Sequence, residues 1–331
     1  MIQKDLYYSI KAVSNSSLGY INPEEGGSPQ KFKDFLDGKL DDSGAKHFVN
    51  GTLLHMAMLE PEKFVIAQVI KPAAALGDIA DAMVVQQLEL IDENIINTIR
   101  AFNWQNNWGD ATVLRKFKDA DGEKYVEYMS ELKNSGKIGM DQITGRIVDS
   151  CKTSLILNEM TNFYLNEVDE MDDMECLNEQ EVQWTSVIDD IPLEMKSKLD
   201  KLIINHVNKT FSLLDIKTTG KPIGQFKTSF EGYNYPRQMR FYTNAALKFL
   251  AKRKLKGYKL DKVLIAVVET SGYHTSQLFD VTSYVKVVDS QLAHLLYRIA
   301  FHTKECNWVE SMESIQNNGI MKLEPCVPTK V

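Results

Sequence analysis

Beyond residue 180 the apolar pattern of this chain changes period, and that change limits what it can fold into. Upstream, Phe48, Leu53, Leu54, Met56, Ala57 and Leu59 recur at three- and four-residue spacing, the mark of a helix, and Glu60-Pro61 closes it. Downstream, 181–188, 193–204 and 210–218 read as strands. They are joined by Asp189-Asp190-Ile191-Pro192 and by Asn205-His206-Val207-Asn208-Lys209, both suited to hairpin connections. A long helix follows from Tyr235 to about Lys256, then a β-branched strand over 262–269, a strand or turn near 277–280 and a helix over 285–303. Helix, three-stranded meander, helix, strand, helix predicts an α/β domain with a helical insertion after its first helix.

The expected organisation is one domain over 1–331. Residues 1–65 form an N-terminal segment ending in the helix that starts near His47, with Pro29 placed in the first turn of an earlier helix. Residues 66–177 read as a helical insertion, interrupted around Trp104–Gly109 and Ala120–Gly122, with the acidic stretch to Glu179 as a surface connection. Residues 178–304 hold the sheet and its flanking helices, and 305–331 a loosely patterned tail containing Pro325 and Pro328. No run approaches the roughly 18 apolar residues of a membrane helix, and the start, MIQKDLYYSIKAV, lacks the apolar region of a secretory signal. Cys151, Cys176, Cys306 and Cys326 are scattered, with no CxxC pair, which favours reduced thiols and a cytoplasmic location.

A net charge of −7 conceals a polarity along the chain. Between Thr153 and Met195 there is no Lys or Arg, but twelve acids. From Lys196 to Leu260 fifteen basic residues face only Asp200, Asp215 and Glu231, a local balance of +12. A basic block inside an acidic protein predicts one face built for a polyanion; the plainer alternative is a set of solvated faces.

Several residues in this block have chemical potential. In Leu214-Asp215-Ile216-Lys217-Thr218, strand alternation puts Asp215 and Lys217 on one face and Leu214 and Ile216 on the other. A charged pair ending an apolar strand costs desolvation that a cation beside Asp215 would offset, although Asp–Lys pairs at strand ends are common. The preceding hairpin would bring Asp200 alongside, and two neighbouring carboxylates repel unless a hard cation such as Mg²⁺ sits between them. Glu181 could add a third carboxylate, or be a solvated acid beside an acidic loop. Gly51 and His55 share a helix face, and Gly51 admits another backbone; a lone helical histidine is more often a core residue. Gln238 and Tyr242, four apart and flanked by Arg237 and Arg240, could hold a nucleotide or simply face water.

Taken in order, Gly-x-x-x-His (Gly51, His55), Glu181, Asp200, Asp215-x-Lys217 and Gln238-x-x-x-Tyr242 resemble the PD-(D/E)xK nuclease superfamily, in its RecB-type branch. More narrowly they resemble the phage-type exodeoxyribonuclease VIII (RecE-like) group, through Ser14-Asn15-Ser16-Ser17-Leu18, Ser28-Pro29-Gln30-Lys31-Phe32 and the stretch from Asn50 to Phe64. The resemblance covers roughly 6–65 and 178–300. It implies a restriction-endonuclease-like core, a central mixed sheet flanked by helices. It implies His55, Asp200, Asp215, the Ile216 carbonyl and Glu181 around Mg²⁺ (with Mn²⁺ as a substitute), Lys217 acting on water and the scissile phosphate, and Gln238 and Tyr242 organising the site. Arg237, Arg240, Lys221, Lys227 and Thr218 become the candidate DNA contacts.

The implied activity is metal-dependent hydrolysis of duplex DNA from an end, 5′ to 3′, leaving a 3′ single strand for a recombinase or annealing protein. A homo-oligomer and host-cytoplasm location would suit it, with no membrane partner. Alternatives are an endonuclease or flap-processing enzyme of the same fold, a non-cleaving DNA-binding module, or an α/β protein whose polar motifs are coincidental. Some relatives in the branch carry an iron–sulfur cluster on one upstream and three clustered downstream cysteines. No cysteine precedes His55 and Cys306 and Cys326 lie far apart, so no cluster is expected.

Overall fold

A computed structural model describes residues 6–40, 49–66, 69–140 and 142–320. His47 and Phe48 at the helix onset, and Pro325, Cys326 and Pro328 in the tail, lie outside the described residues. The centre is a five-stranded mixed sheet in the order β3-β4-β5-β6-β7. Its strands are β3 (Met174–Ile188), β4 (Ile191–Asn205), β5 (Thr210–Thr219), β6 (Lys259–Glu269) and β7 (Ser276–Asp280). β3, β4 and β5 form an antiparallel meander, and the Tyr235–Lys252 helix carries the chain over to β6, which pairs parallel to β5. β7 returns antiparallel at the edge.

Helices cover both faces because β6, between β5 and β7, is apolar on both. In β6, Val263, Ile265 and Val267 pack with Met239, Ala245, Ala246 and Leu250 of the Tyr235–Lys252 helix. The alternating Leu264, Ala266 and Val268 pack with Leu53, Leu54 and Ala57 of the Val49–Leu59 helix and with Val148 and Leu155 of the Gln142–Leu157 helix. Period-two alternation with both sets apolar is what a doubly covered strand requires. In β5, Leu214 and Ile216 join the second of these cores. Asp215 and Lys217 therefore face the Tyr235–Lys252 helix, as their alternation predicts. A third core joins the Asn15–Ile21, Pro29–Leu36 and Asp289–Glu305 helices to the β3–β4 hairpin through Leu18, Ile21, Phe32, Met195 and Phe241.

The hairpin departs from expectation at its turn. The connection is two residues, Asp189 and Asp190, both at positive φ (47° and 64°), and Ile191 and Pro192 already pair with Ile188 and Val187. Two left-handed residues give the turn whose twist matches the flanking strands, and aspartate tolerates that region better than most side chains. β3 also starts earlier than the apolar run, at Met174, so the stretch read as a surface connection is partly strand.

Two short strands, β1 (Phe64–Ile66) and β2 (Ile138–Met140), pair in parallel and tie together the entry and exit of a four-helix lobe. Its helices, Ala75–Gln86, Asp92–Ala101, Asp110–Asp119 and Gly122–Asn134, enclose their own core of Ile79, Met83, Ile95, Ile99, Val113 and Phe117. Phe117 is fully buried, and a Cβ on Gly122 would meet its ring at 2.6 Å, so glycine there admits the ring. Phe117→Ala is expected to cost about 3–5 kcal/mol in urea unfolding; a loss below about 1 kcal/mol would show that this lobe lacks a packed core. Among the described residues no helix is long and apolar enough to cross a membrane.

Candidate active site

The ladder between β4 and β5 pairs Asn205 through Lys201 with Thr210 through Leu214 and goes no further. Beyond it the strands part, and the next two residues, Asp200 and Asp215, sit at the mouth of the opening. Asp200 Oδ2 replaces the missing ladder bond by accepting the Ile216 N–H at 2.8 Å. From the other face the Val49–Leu59 helix brings His55 to the same residue, and His55 Nε2 donates to the Ile216 carbonyl at 2.7 Å. Gly51 allows this close docking, since a Cβ there would lie 3.2 Å from Thr218 Oγ1.

That hydrogen bond fixes the histidine's state. With its proton committed at Nε2, the neutral ring presents a lone pair at Nδ1, 3.3 Å from Asp200 Oδ2. Burial, then the nearby Lys217 charge, holds the His55 pKa below its usual value, which favours this neutral form. Glu179 completes the group. It lies between Asn178 and Gln180, whose partners Lys201 and Leu199 flank Asp200, and so faces Asp200 across the hairpin. One ligand atom each from His55, Glu179 and Asp200 lie within 4.8 Å of one another. Three acceptors aimed at one point, none able to donate to another, repel until a cation joins them. The set of one imidazole and two carboxylates fits a divalent ion such as Mn²⁺ or Mg²⁺.

Glu179 holds a left-handed φ of 50°, uncommon for a residue within a strand. Backbone strain of this kind costs on the order of 1–3 kcal/mol and marks places where function outweighs local comfort. Its carboxylate pairs with Lys198 at 2.9 Å. Burial, then repulsion from Asp200, pushes the Glu179 pKa up against that pairing. Burial also raises the Asp200 pKa, although Lys217 and the Ile216 N–H oppose it.

Asp215 is 1% exposed, and neither carboxylate oxygen has a hydrogen-bond partner among the described residues; Lys217 Nζ stands 2.6 Å from Oδ2 as an ion pair. Burial raises the Asp215 pKa to about 6 against the pull of Lys217, and the neighbouring Asp200 charge adds to the rise. Lys217 stays charged: the two aspartates lift its pKa, outweighing the larger opposing effect of burial. Its amine also lies 5.2 Å over the Tyr235 ring. On the next turns of that helix Gln238 Nε2 donates to the Tyr242 hydroxyl at 2.8 Å. Burial, then the Asp215 and Asp200 charges, pushes the Tyr242 pKa well up, which holds its proton on oxygen.

The structure therefore brings His55, Asp200, Asp215, Ile216, Lys217, Gln238 and Tyr242 together. Glu181 is exposed and paired across from Lys198, outside the cluster; Glu179, two residues earlier on the strand, takes the place expected for it. Ile216 holds Asp200 through its N–H and His55 through its carbonyl, which is already an acceptor for the histidine.

The candidate DNA contacts divide. Arg237 is 3% exposed, with its guanidinium on Glu25 and the Asn15 side chain, because this part of the helix packs under the N-terminal segment. It is a structural ion pair, out of reach of a ligand. Arg240 is engaged by Asp289 at 2.5 Å. Lys221 and Lys227 are exposed beyond the end of β5, and Thr218 is half-buried beside Gly51.

The basic block does not form one face either. Lys198, Lys201, Lys217 and Arg253 pair with Glu179, Asp169, Asp215 and Glu175, and Lys196 reaches the Tyr7 carbonyl and ring. The exposed Lys252, Lys254, Lys256 and Lys259 gather where the long helix ends and β6 begins, the far end of the sheet from Lys217.

No known family profile matches the chain, and no curated protein does. Among solved structures it is similar to a candidate exonuclease from Eubacterium rectale at 11% identity and a TM-score of 0.48, over 98% of this chain and 94% of that one. It is also similar to a protein named SSO0001, at 11% identity and a TM-score of 0.26, over 76% and 85% of the two chains. Likeness at this level carries no functional assignment.

Proposed function

We propose that this protein is a metal-dependent DNA hydrolase built on a PD-(D/E)xK-type core. The observation that carries the reading is the meeting of His55 Nδ1, Glu179 and Asp200 at one point, with the Asp215–Lys217 pair beside it. His55, Glu179 and Asp200 would hold the ion, and Asp215, with both oxygens free of hydrogen bonds, is placed to join them. A bound divalent ion supplies Lewis acidity toward a phosphoryl oxygen and lowers the pKa of water.

The chain's own residues account for the rest. Lys217 places a positive charge beside the carboxylate cluster, where it would neutralise a phosphate that the acids alone would repel and orient a water by hydrogen bonding. His55 stays neutral because burial and the Lys217 charge disfavour its protonated form, and the Nε2–H bond to the Ile216 carbonyl leaves Nδ1 as the ligand atom. Gln238 Nε2 donates to the Tyr242 hydroxyl and fixes it, and burial with the nearby Asp215 and Asp200 charges keeps its proton on oxygen.

Duplex DNA cut from a 5′ end is the substrate that the sequence resemblance favours, and the test separates it from internal cutting. Linear and closed circular duplexes, labelled at 5′ or 3′ ends, are incubated with Mg²⁺, Mn²⁺ or EDTA. Release of label from linear DNA only, from the 5′ end first and only with metal, is the expected result. Nicking of the circle would replace the exonuclease with an endonuclease, and hydrolysis that survives EDTA would remove the metal from the reading.

A further inference from the structure

The turn after β5 carries an aromatic side chain that the site described above leaves unused. Asn234, at φ 55°, bends the chain between the Phe226–Gly232 and Tyr235–Lys252 helices. The bend sets the Tyr233 and Tyr235 rings 5.9 Å apart at an interplanar angle of 48°. Tyr235 is the inner member: it stacks against Phe226 at 6.1 Å and lies beneath the Lys217 amine at 5.2 Å. Tyr233 is the outer one, 64% exposed. Two ring steps thus lead from the amine at the hydrolytic site out to water. Exposed Lys221 and Lys227 belong to the same connection, against the one acid Glu231.

We infer that Tyr233 is a stacking platform for an unpaired base flanking the phosphate that Lys217 contacts. This rests on the hydrolase reading and deepens it by naming the substrate: a strand that is single, or frayed, next to the cut. Every base has a π-face, so a tyrosine platform accepts any sequence. Inside a duplex those faces are covered by neighbouring base pairs, and a base must leave the stack to be offered to the ring. Tyr235, held by Phe226 on one side and by the Lys217 charge on the other, fixes the floor against which Tyr233 rests. The left-handed turn residue keeps the outer ring in place without a core contact of its own.

The test uses the full chain and short single-stranded oligonucleotides with one abasic nucleotide at successive positions, cleaved in Mg²⁺. For the wild type, one position beside the cut should raise KM about tenfold, the loss of one base–aromatic stack, with kcat changed less than about twofold. Tyr233→Ala should raise KM by the same factor on the intact strand and become indifferent to the abasic nucleotide there. Tyr233→Phe keeps the ring and should match the wild type. In Ca²⁺, 2-aminopurine at that position should be quenched by the wild type and by Tyr233→Phe, and stay bright with Tyr233→Ala. An unchanged KM in Tyr233→Ala, or a fall in kcat that leaves the abasic effect intact, overturns the platform. A wild type that cleaves neither strands nor duplexes in Mg²⁺ or Mn²⁺ overturns the hydrolase reading itself, and is told apart by needing no variant to see it.

Discussion

Asp200→Asn is expected to lower DNA hydrolysis at least about a thousandfold, some 4 kcal/mol of transition-state stabilisation, while the protein stays folded. The substitution is close to isosteric, and the amide oxygen can still accept the Ile216 N–H that Asp200 Oδ2 receives. What it removes is the negative charge between Glu179 and His55 Nδ1. Affinity for Mn²⁺, followed by calorimetry, should fall together with the rate. The apo protein should not lose stability, because a buried charge that repels Glu179 has been taken away. Wild-type hydrolysis in this variant would remove Asp200 from the site; full metal affinity with lost activity would make it a group that acts on substrate instead.

The second large effect concerns stability. Burial raises the Asp215 pKa to about 6 from an ordinary 3.8, so between these values the folded state holds a proton that the unfolded chain has released. Its contribution is fully present below the unfolded pKa and is lost as pH rises through about 6. Above that the apo fold carries an unfavourable charge worth about 3 kcal/mol. Glu179 and Asp200, also raised, act in the same direction. His55, lowered, acts against them, its stability present above its ordinary value and lost as pH falls through the depressed one.

A divalent ion at a hundredfold excess over its Kd should return about 2.7 kcal/mol at pH 8, a Tm rise of several degrees. At pH 5, where protons compete for the same oxygens, the rise should be small. Asp215→Asn should flatten the apo pH profile between pH 5 and 8 relative to wild type. Equal metal-induced shifts at both pH values would show that Asp215 takes no part in binding the ion.

The elements that were legible in the sequence are those whose pattern is local. Strand alternation placed Asp215 beside Lys217, helical spacing placed Gln238 beside Tyr242, and the Gly51–His55 spacing gave a helix that docks closely on β5. Glu179 was missed through the turn. Counting Ile191 and Pro192 into the connection would set Glu181 opposite Asp200, whereas the two-residue Asp189-Asp190 turn shifts the register and leaves Glu179 there. The signal was present in the adjacent aspartates, which tolerate left-handed backbone. The fate of Arg237 was not readable locally at all, because its partners Glu25 and Asn15 lie more than two hundred residues earlier. Charge counts fail for the same reason: they register fifteen basic residues but not which acids the fold brings against them.

One residue of β5 links the helix to the strand pair. The Ile216 N–H is gripped by Asp200 and its carbonyl by His55, so two of the proposed ligands, from separate elements, are referenced to the backbone of a single residue. A small slide of the Val49–Leu59 helix, from a trimmed side chain at Leu53 or Leu54 far from any solvent, must therefore pull the imidazole off its mark. At the proposed ion site, affinity for a divalent cation would gauge how well that helix is seated, and a defect in the hydrophobic interior would be read out first as weaker binding.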